Sequence, residues 1–195
     1  MDTIMTTEEQ KSRTARSYKL ILLFAMVSMT MMFAGLTSAF VVSKSRADWL
    51  KDFQLPTAFF YSTAVIIGCS VTFYLAKKAI QKNNQSKTTL FLLSTLVLGI
   101  LFVVLQFVGF GQIVANGYYF TGSGSSITTT FLYVVTVVHM IHLAGGVISL
   151  LIIIYNHFKQ KYNSSQTLGI ELGAMYWHFL DLLWVYLFLF LYFFK

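Results

Sequence analysis

An all-α integral membrane bundle of five transmembrane helices is the fold that this sequence predicts, and three observations carry the prediction. Hydrophobic residues make up 56% of the 195 residues and charged residues only 11%, with a mean hydropathy of +0.68, and a single soluble domain needs a more polar surface than that. Five apolar runs, at residues 18–43, 58–76, 89–113, 127–155 and 172–194, each supply the roughly 20 residues that a bilayer requires. None of them alternates as a barrel strand does, and hydrocarbon leaves no other way to satisfy the backbone, so the spans are helices.

Ahead of the first run, residues 1–17 are polar and read as a tail, with residues 18–195 as the bundle; tail and run together do not resemble a cleaved signal segment. Within run one, FAGLTSAF sets Ala34 with Ser38 and Gly35 with Ala39, four apart, which predicts a close-packing face. The second run follows Pro56, the one proline, placed to suit a first helical turn. It holds Cys69, the one cysteine, so neither an intrachain disulfide nor a thiol metal cluster is available. Run three carries a lone amide, Gln106, expected to hydrogen-bond between helices. Runs four and five hold the ionisable groups, and the many Phe, Tyr and Trp residues of the chain are expected mostly to face lipid or anchor the interface. His157, at the edge of run four, is expected to be solvated.

Charge sets the predicted orientation. Ten of the 14 basic residues (Lys11, Arg13, Arg16, Lys19, Lys77, Lys78, Lys82, Lys87, Lys159 and Lys161) fall on the amino-terminal side, against Lys44, Arg46, Lys51 and Lys195 on the other. The positive-inside rule then places the N-terminus in the cytoplasm and the C-terminus outside. Topology accounts for the net charge of +7, and the basic face would favour anionic lipid headgroups; nucleic acid is not needed as a partner. No internal repeat suggests the inverted halves of a transporter.

An ionisable side chain in hydrocarbon costs on the order of 2.5 to 3.5 kcal/mol, so each one asks for a reason. In HMIHLAGG, His139 and His142 lie three apart on one helix face, and Gly146 continues that strip. Run five places Glu171 at its inner mouth, where the helix dipole favours a carboxylate, and His178 and Asp181 deeper. At ~1.5 Å per residue, His142 lies about 18 Å, Asp181 about 14 Å and His178 about 9 Å from the cytoplasmic end, so helices four and five can meet there. Two readings stand side by side. Such groups tie helices together through buried hydrogen bonds, or they serve as a proton relay, a metal site or haem ligands.

These residues also carry a resemblance. Gly169, Glu171, Tyr176, Trp177, His178, Phe179, Asp181 and Trp184 match the last-helix pattern of subunit III of the haem-copper terminal oxidases, and His139, His142 and Gly146 match its His-x-x-His-and-glycine pattern. Weaker matches are FAGL at 33–36, Leu55 with Pro56, Ser62 with Thr63, and Leu105 with Gln106. The resemblance covers nearly all of the chain and is to the five-span bacterial form, which implies a multi-pass protein of the bacterial cytoplasmic (inner) membrane. It implies a non-catalytic subunit with no metal and no redox cofactor of its own, docked on catalytic subunit I and copper-carrying subunit II, which hold the haem and copper. The family role is to stabilise subunit I, hold phospholipid in a cleft and support proton uptake.

One position departs from the pattern. Where the family places a buried glutamate in helix one, this chain has Met29 after Ser28, which leaves Asp181 with His178 as the remaining proton-linked candidate. Two other classes stay open: a subunit III-like accessory protein of a nitric oxide reductase, and a small b-type cytochrome anchor in which His139 or His142 would hold haem with His178.

Overall fold

The structure, a computed structural model, describes residues 7–50, 53–122, 125–163 and 166–194. Its helices are α1 (Thr7–Val42), α2 (Thr57–Gln81), α3 (Gln85–Ala115), α4 (Ile127–Phe158) and α5 (Leu168–Phe194), with a 3-10 turn, Ser43–Ser45, after α1. All five are long and apolar enough to cross a membrane. Beyond two isolated bridges, no strand occurs among the described residues. Lys51, Lys195, residues 1–6 of the tail and residues 123–124 of the glycine and serine loop lie outside the described residues.

Caps rather than hydropathy set the helix ends. Three helices close on the same motif: the N–H of Asn83 bonds Ile80 O and that of Asn84 bonds Ala79 O, and the pattern recurs at Gly117 with Tyr118 and at Gln160 with Lys161. This closure requires a left-handed residue, and Asn83 (φ 54), Gly117 (φ 81) and Gln160 (φ 55) adopt that conformation. Asn84 then starts α3 by accepting from Lys87 N at 3.1 Å, and Ser126 starts α4 through a reciprocal capping box with Thr129. Pro56 stands immediately before the first residue of α2, where its missing N–H removes no helical bond. In α1 the helix runs on through the polar tail from Thr7, supported by the Lys11 to Glu8 pair. The boundary between residues 17 and 18 is therefore a change of composition and not a break in the backbone.

Helix α5 is the hub, packed against α1, α2 and α4, while α2 and α3 form a tight hairpin and α3 closes onto α4. Burial follows that layout: 44% of the apolar window of α5 is buried, against 17% for α1. Trp177 and Trp184 of α5 sit at the centre, both about 1% exposed. Backbones approach where glycine permits it: a Cβ on Gly99 would stand 3.2 Å from the Trp177 ring, and one on Gly146 only 2.9 Å from Leu180.

Two expectations are corrected here. Trp177, Trp184, Phe33, Phe40, Phe59, Phe73 and Phe102 are the largest fully buried side chains rather than lipid-facing bulk; they meet edge to face, Phe102 with Trp184 at 5.2 Å and Phe59 with Trp184 at 5.7 Å. Gly35 is exposed, with nothing within 4 Å of the place a Cβ would take. Helix α1 packs through Met26, Phe33, Thr37 and Phe40, which recur on one face, and Gly35 is turned about 200° from Phe33 at 3.6 residues per turn. The predicted small-residue face is therefore open within this chain.

Candidate functional site

The five polar residues singled out in runs four and five do not form one cluster. His139 is fully buried among Phe33, Phe102 and Trp184, with ring centroids 6.3, 6.3 and 5.2 Å away, and neither of its nitrogens has a hydrogen-bond partner. His142, one turn on, donates from Nδ1 to Val138 O at 2.7 Å, and its own carbonyl accepts from the Tyr176 hydroxyl at 3.1 Å. That last bond ties α4 to α5.

His178 turns to a different helix. Its Nδ1 lies 2.6 Å from Ser70 Oγ of α2, and its ring rests near Phe73. Asp181, one turn further along α5, is 4% exposed. Its carboxyl lies beside Cys69 and Ser70, yet neither oxygen has a hydrogen-bond partner. His178 is thus engaged on α2 while His139 and His142 lie against α1, α3 and α5. These contacts do not build the facing histidine pair that a cytochrome anchor needs. Among the described residues, no group of three His, Cys, Asp or Glu is placed to hold a metal ion.

Glu171 lies in the first turn of α5. It accepts from Thr167 Oγ1 at 2.8 Å and pairs with Lys19 Nζ of α1 at 2.8 Å, so an ion pair anchors α1 to α5 at the lysine-rich end. His157 is corrected from a solvated to a buried group: it is 1% exposed, and its Nε2 meets Thr89 Oγ1 of α3 at 2.8 Å. Gln106 Nε2 donates to Ser62 Oγ at 2.9 Å across α3 and α2, and Trp184 Nε1 donates to Thr63 Oγ1 at 3.1 Å.

Sequence reading missed Ser70 and Thr89 as partners, because serine and threonine are common in membrane helices and carry no pattern of their own. Depth was the usable signal. Ser70 stands about 16 Å from the end of α2 at Gln81, and His178 about 15 Å from the start of α5 at Leu168, at ~1.5 Å per residue. Met29 is half-buried on α1. One turn on, Phe33 and Ala34 join Phe179, Leu182, Leu183 and Tyr186 of α5 in lining an apolar cavity of about 500 Å3.

The family pattern described as Cytochrome c oxidase subunit III matches residues 6–195. The chain belongs to the cytochrome c oxidase subunit III family. Its similarity to Cytochrome c oxidase subunit 3 of Spodoptera frugiperda is 34% identity over 143 residues, or 72% of this chain and 89% of that protein. With the protein of the same description from Drosophila melanogaster it is 34% over 140 residues, covering 72% of this chain and 50% of the relative; with that of Petromyzon marinus it is 30% over 146 residues, 73% and 51%. The chain spans about half the length of the latter two relatives. Of the residues that carried the resemblance, Trp177, Asp181, Trp184, His139 and Gly146 are buried, and Gly169, Glu171, Tyr176, His178, Phe179 and His142 are half-buried. In this subunit III chain the buried ones face other helices rather than lipid.

Proposed function

We propose that this chain is a non-catalytic membrane subunit of a respiratory haem-copper oxidase, docked on the catalytic subunit I and copper-carrying subunit II and holding none of the haem or copper itself. The complex would reduce oxygen to water, and this subunit would stabilise its partner, hold phospholipid and support proton uptake. Family membership supports the assignment to an oxidase. The observation that carries the non-catalytic part is the division of the polar residues: His178 bonds Ser70 of α2, His157 bonds Thr89 of α3, His142 bonds within α4, and His139 lies among aromatic rings, while the family tryptophans fill the centre of the bundle. The apolar cavity between α1 and α5, with the Lys19 and Glu171 pair toward its lysine-rich end, supports an acyl chain with its headgroup at the basic face. The 10 to 4 split of basic residues supports a cytoplasmic N-terminus in a bacterial cytoplasmic (inner) membrane.

The test is affinity purification of a tagged chain in mild detergent, with the co-eluting polypeptides identified by mass spectrometry and an absorption spectrum taken on the same sample. Recovery of a many-helix haem-copper subunit with its copper-carrying partner is expected. Recovery of a nitric oxide reductase would move the chain to the accessory reading, and recovery alone with bound haem would overturn both.

A further inference from the structure

Asp181 presents a buried carboxyl with no protein partner, and its surroundings are ordered in a particular way. On α5, Glu171 and His178 are seven residues apart and share a face; on α2, Ser70 and Lys77 are also seven apart and face them. The helices pair these residues level by level. Lys77 lies close enough to act electrostatically on both Glu171 and His178, and Ser70 Oγ stands 2.6 Å from His178 Nδ1. The ion pair of Lys19 with Glu171 opens this file at the lysine-rich end, and Asp181 closes it about 15 Å deeper, ten residues at ~1.5 Å each.

We propose that Ser70, His178 and Asp181 form a proton-exchange site on the seam between α2 and α5, reached from the lysine-rich face past Lys19, Glu171 and Lys77. The inference rests on the proton-uptake part of the function proposed above and names where in this chain that support resides. Ser70 is the positioning residue, because its hydroxyl rotor both donates and accepts. In the unloading step the Asp181 O–H bond breaks and its proton passes to Ser70 Oγ. The Ser70 proton moves to His178 Nδ1, leaving a carboxylate and an imidazolium; loading is the reverse. Cys69 and Ser70 of α2 lie beside Asp181, and His178 stands three residues before it on its own helix, on the same face. Lys77 and the Lys19 and Glu171 pair lie toward the end of the file, and of the histidines of α4, His139 lies among Phe33, Phe102 and Trp184 and His142 bonds Val138 O. Beyond Asp181 the next polar contact on this seam is Trp184 Nε1 donating to Thr63 Oγ1 at 3.1 Å, and an indole N–H accepts no proton, so the site is filled and emptied from one face and is not a route across the membrane.

The experiment is labelling of the intact complex in membrane vesicles with a membrane-permeant carbodiimide, read by peptide mass spectrometry. The carboxylic O–H adds across the reagent's C=N bond, its proton goes to nitrogen, and acyl migration leaves a stable acylurea carrying the whole reagent with no leaving group. Label is expected on Asp181, at a rate that follows the pH of the lysine-rich face and ignores the other. Ser70→Ala is expected to move the pH midpoint of labelling by on the order of one pH unit, since the hydroxyl that couples Asp181 to His178 is gone, and His178→Gln to shift it as well. An unlabelled Asp181 in the wild-type complex overturns the proposal, as does a rate set by the opposite face. A midpoint untouched by Ser70→Ala and His178→Gln leaves Asp181 structural and overturns it too. The one-sided pH test needs no variant, so a misfolded substitution does not decide the matter. Co-purification tests the oxidase assignment separately, so the two ideas fail independently.

Discussion

Removing Ser62 should destabilise the subunit more than removing its larger partner Gln106. Both residues are fully buried, and they share one bond, from Gln106 Nε2 to Ser62 Oγ at 2.9 Å. Ser62 has a second outlet, donating to Phe59 O at 3.0 Å, whereas Gln106 Oε1 already has no partner. Ser62→Ala therefore strands the whole amide, at a cost of about 1–3 kcal/mol for unpaired buried polar groups. Gln106→Leu conserves volume and loses one interhelix bond, about 0.6 kcal/mol in membrane proteins, but it also removes the unpartnered oxygen, so the net change should lie within about 0.5 kcal/mol of zero. The double variant should resemble Gln106→Leu alone, giving a coupling of about 1–3 kcal/mol, the whole cost of Ser62→Ala. The assay is reversible unfolding of the purified subunit by titration with denaturing detergent, followed by tryptophan fluorescence, which Trp177 and Trp184 report from the centre. A Gln106→Leu cost equal to that of Ser62→Ala, or a double variant worse than either single, would refute the reasoning.

Other outcomes follow from the same geometry. Gly146→Val should destabilise by on the order of 2 kcal/mol or prevent assembly, because even a Cβ would sit 2.9 Å from Leu180 and 3.5 Å from Trp177; Gly35→Val should leave the unfolding midpoint of the isolated chain unchanged. Lys19→Ala should lower stability by under about 1 kcal/mol, since the partly exposed pair with Glu171 is screened, and the difference from wild type should shrink as salt rises. Carbodiimide should leave the peptide spanning residues 17–44 unlabelled, and Met29→Glu should bring label there; label on that peptide in the unaltered chain would count against the reading of Met29. Trp184→Phe should release Thr63 Oγ1 and open a cavity beside Phe102 and His139, lowering the unfolding midpoint by the equivalent of about 2 kcal/mol.

The number of spans and their approximate limits were legible because burying an unpaired backbone in hydrocarbon is so costly that each helix advertises itself as a long apolar run. Even the caps were partly legible, as with Pro56 before α2. Partners were not. The position of His157 in the chain points to a wet edge, and only its contact with Thr89 on a neighbouring helix reveals that it is buried. Phe24, Tyr61 and Phe193 are exposed as expected, but Trp177, Trp184 and Phe102 were misassigned for a related reason: in a membrane helix both the lipid face and the bundle face are apolar, so composition cannot tell a lipid anchor from a core ring.

The chain's own sequence determined that it crosses the membrane five times, that Met29 cannot carry the family carboxylate, and that ionisable groups of α4 and α5 demand an interior place. Which neighbour each group meets was decided by tertiary structure alone. Helix α5 became the hub because its large rings fit over Gly99 and Gly146, and that packing fixed its rotation, sending His178 to Ser70 and Tyr176 to the His142 carbonyl. A helix rotated by a third of a turn would show the same sequence pattern and join different side chains, and only the fit of tryptophan over glycine selects between them.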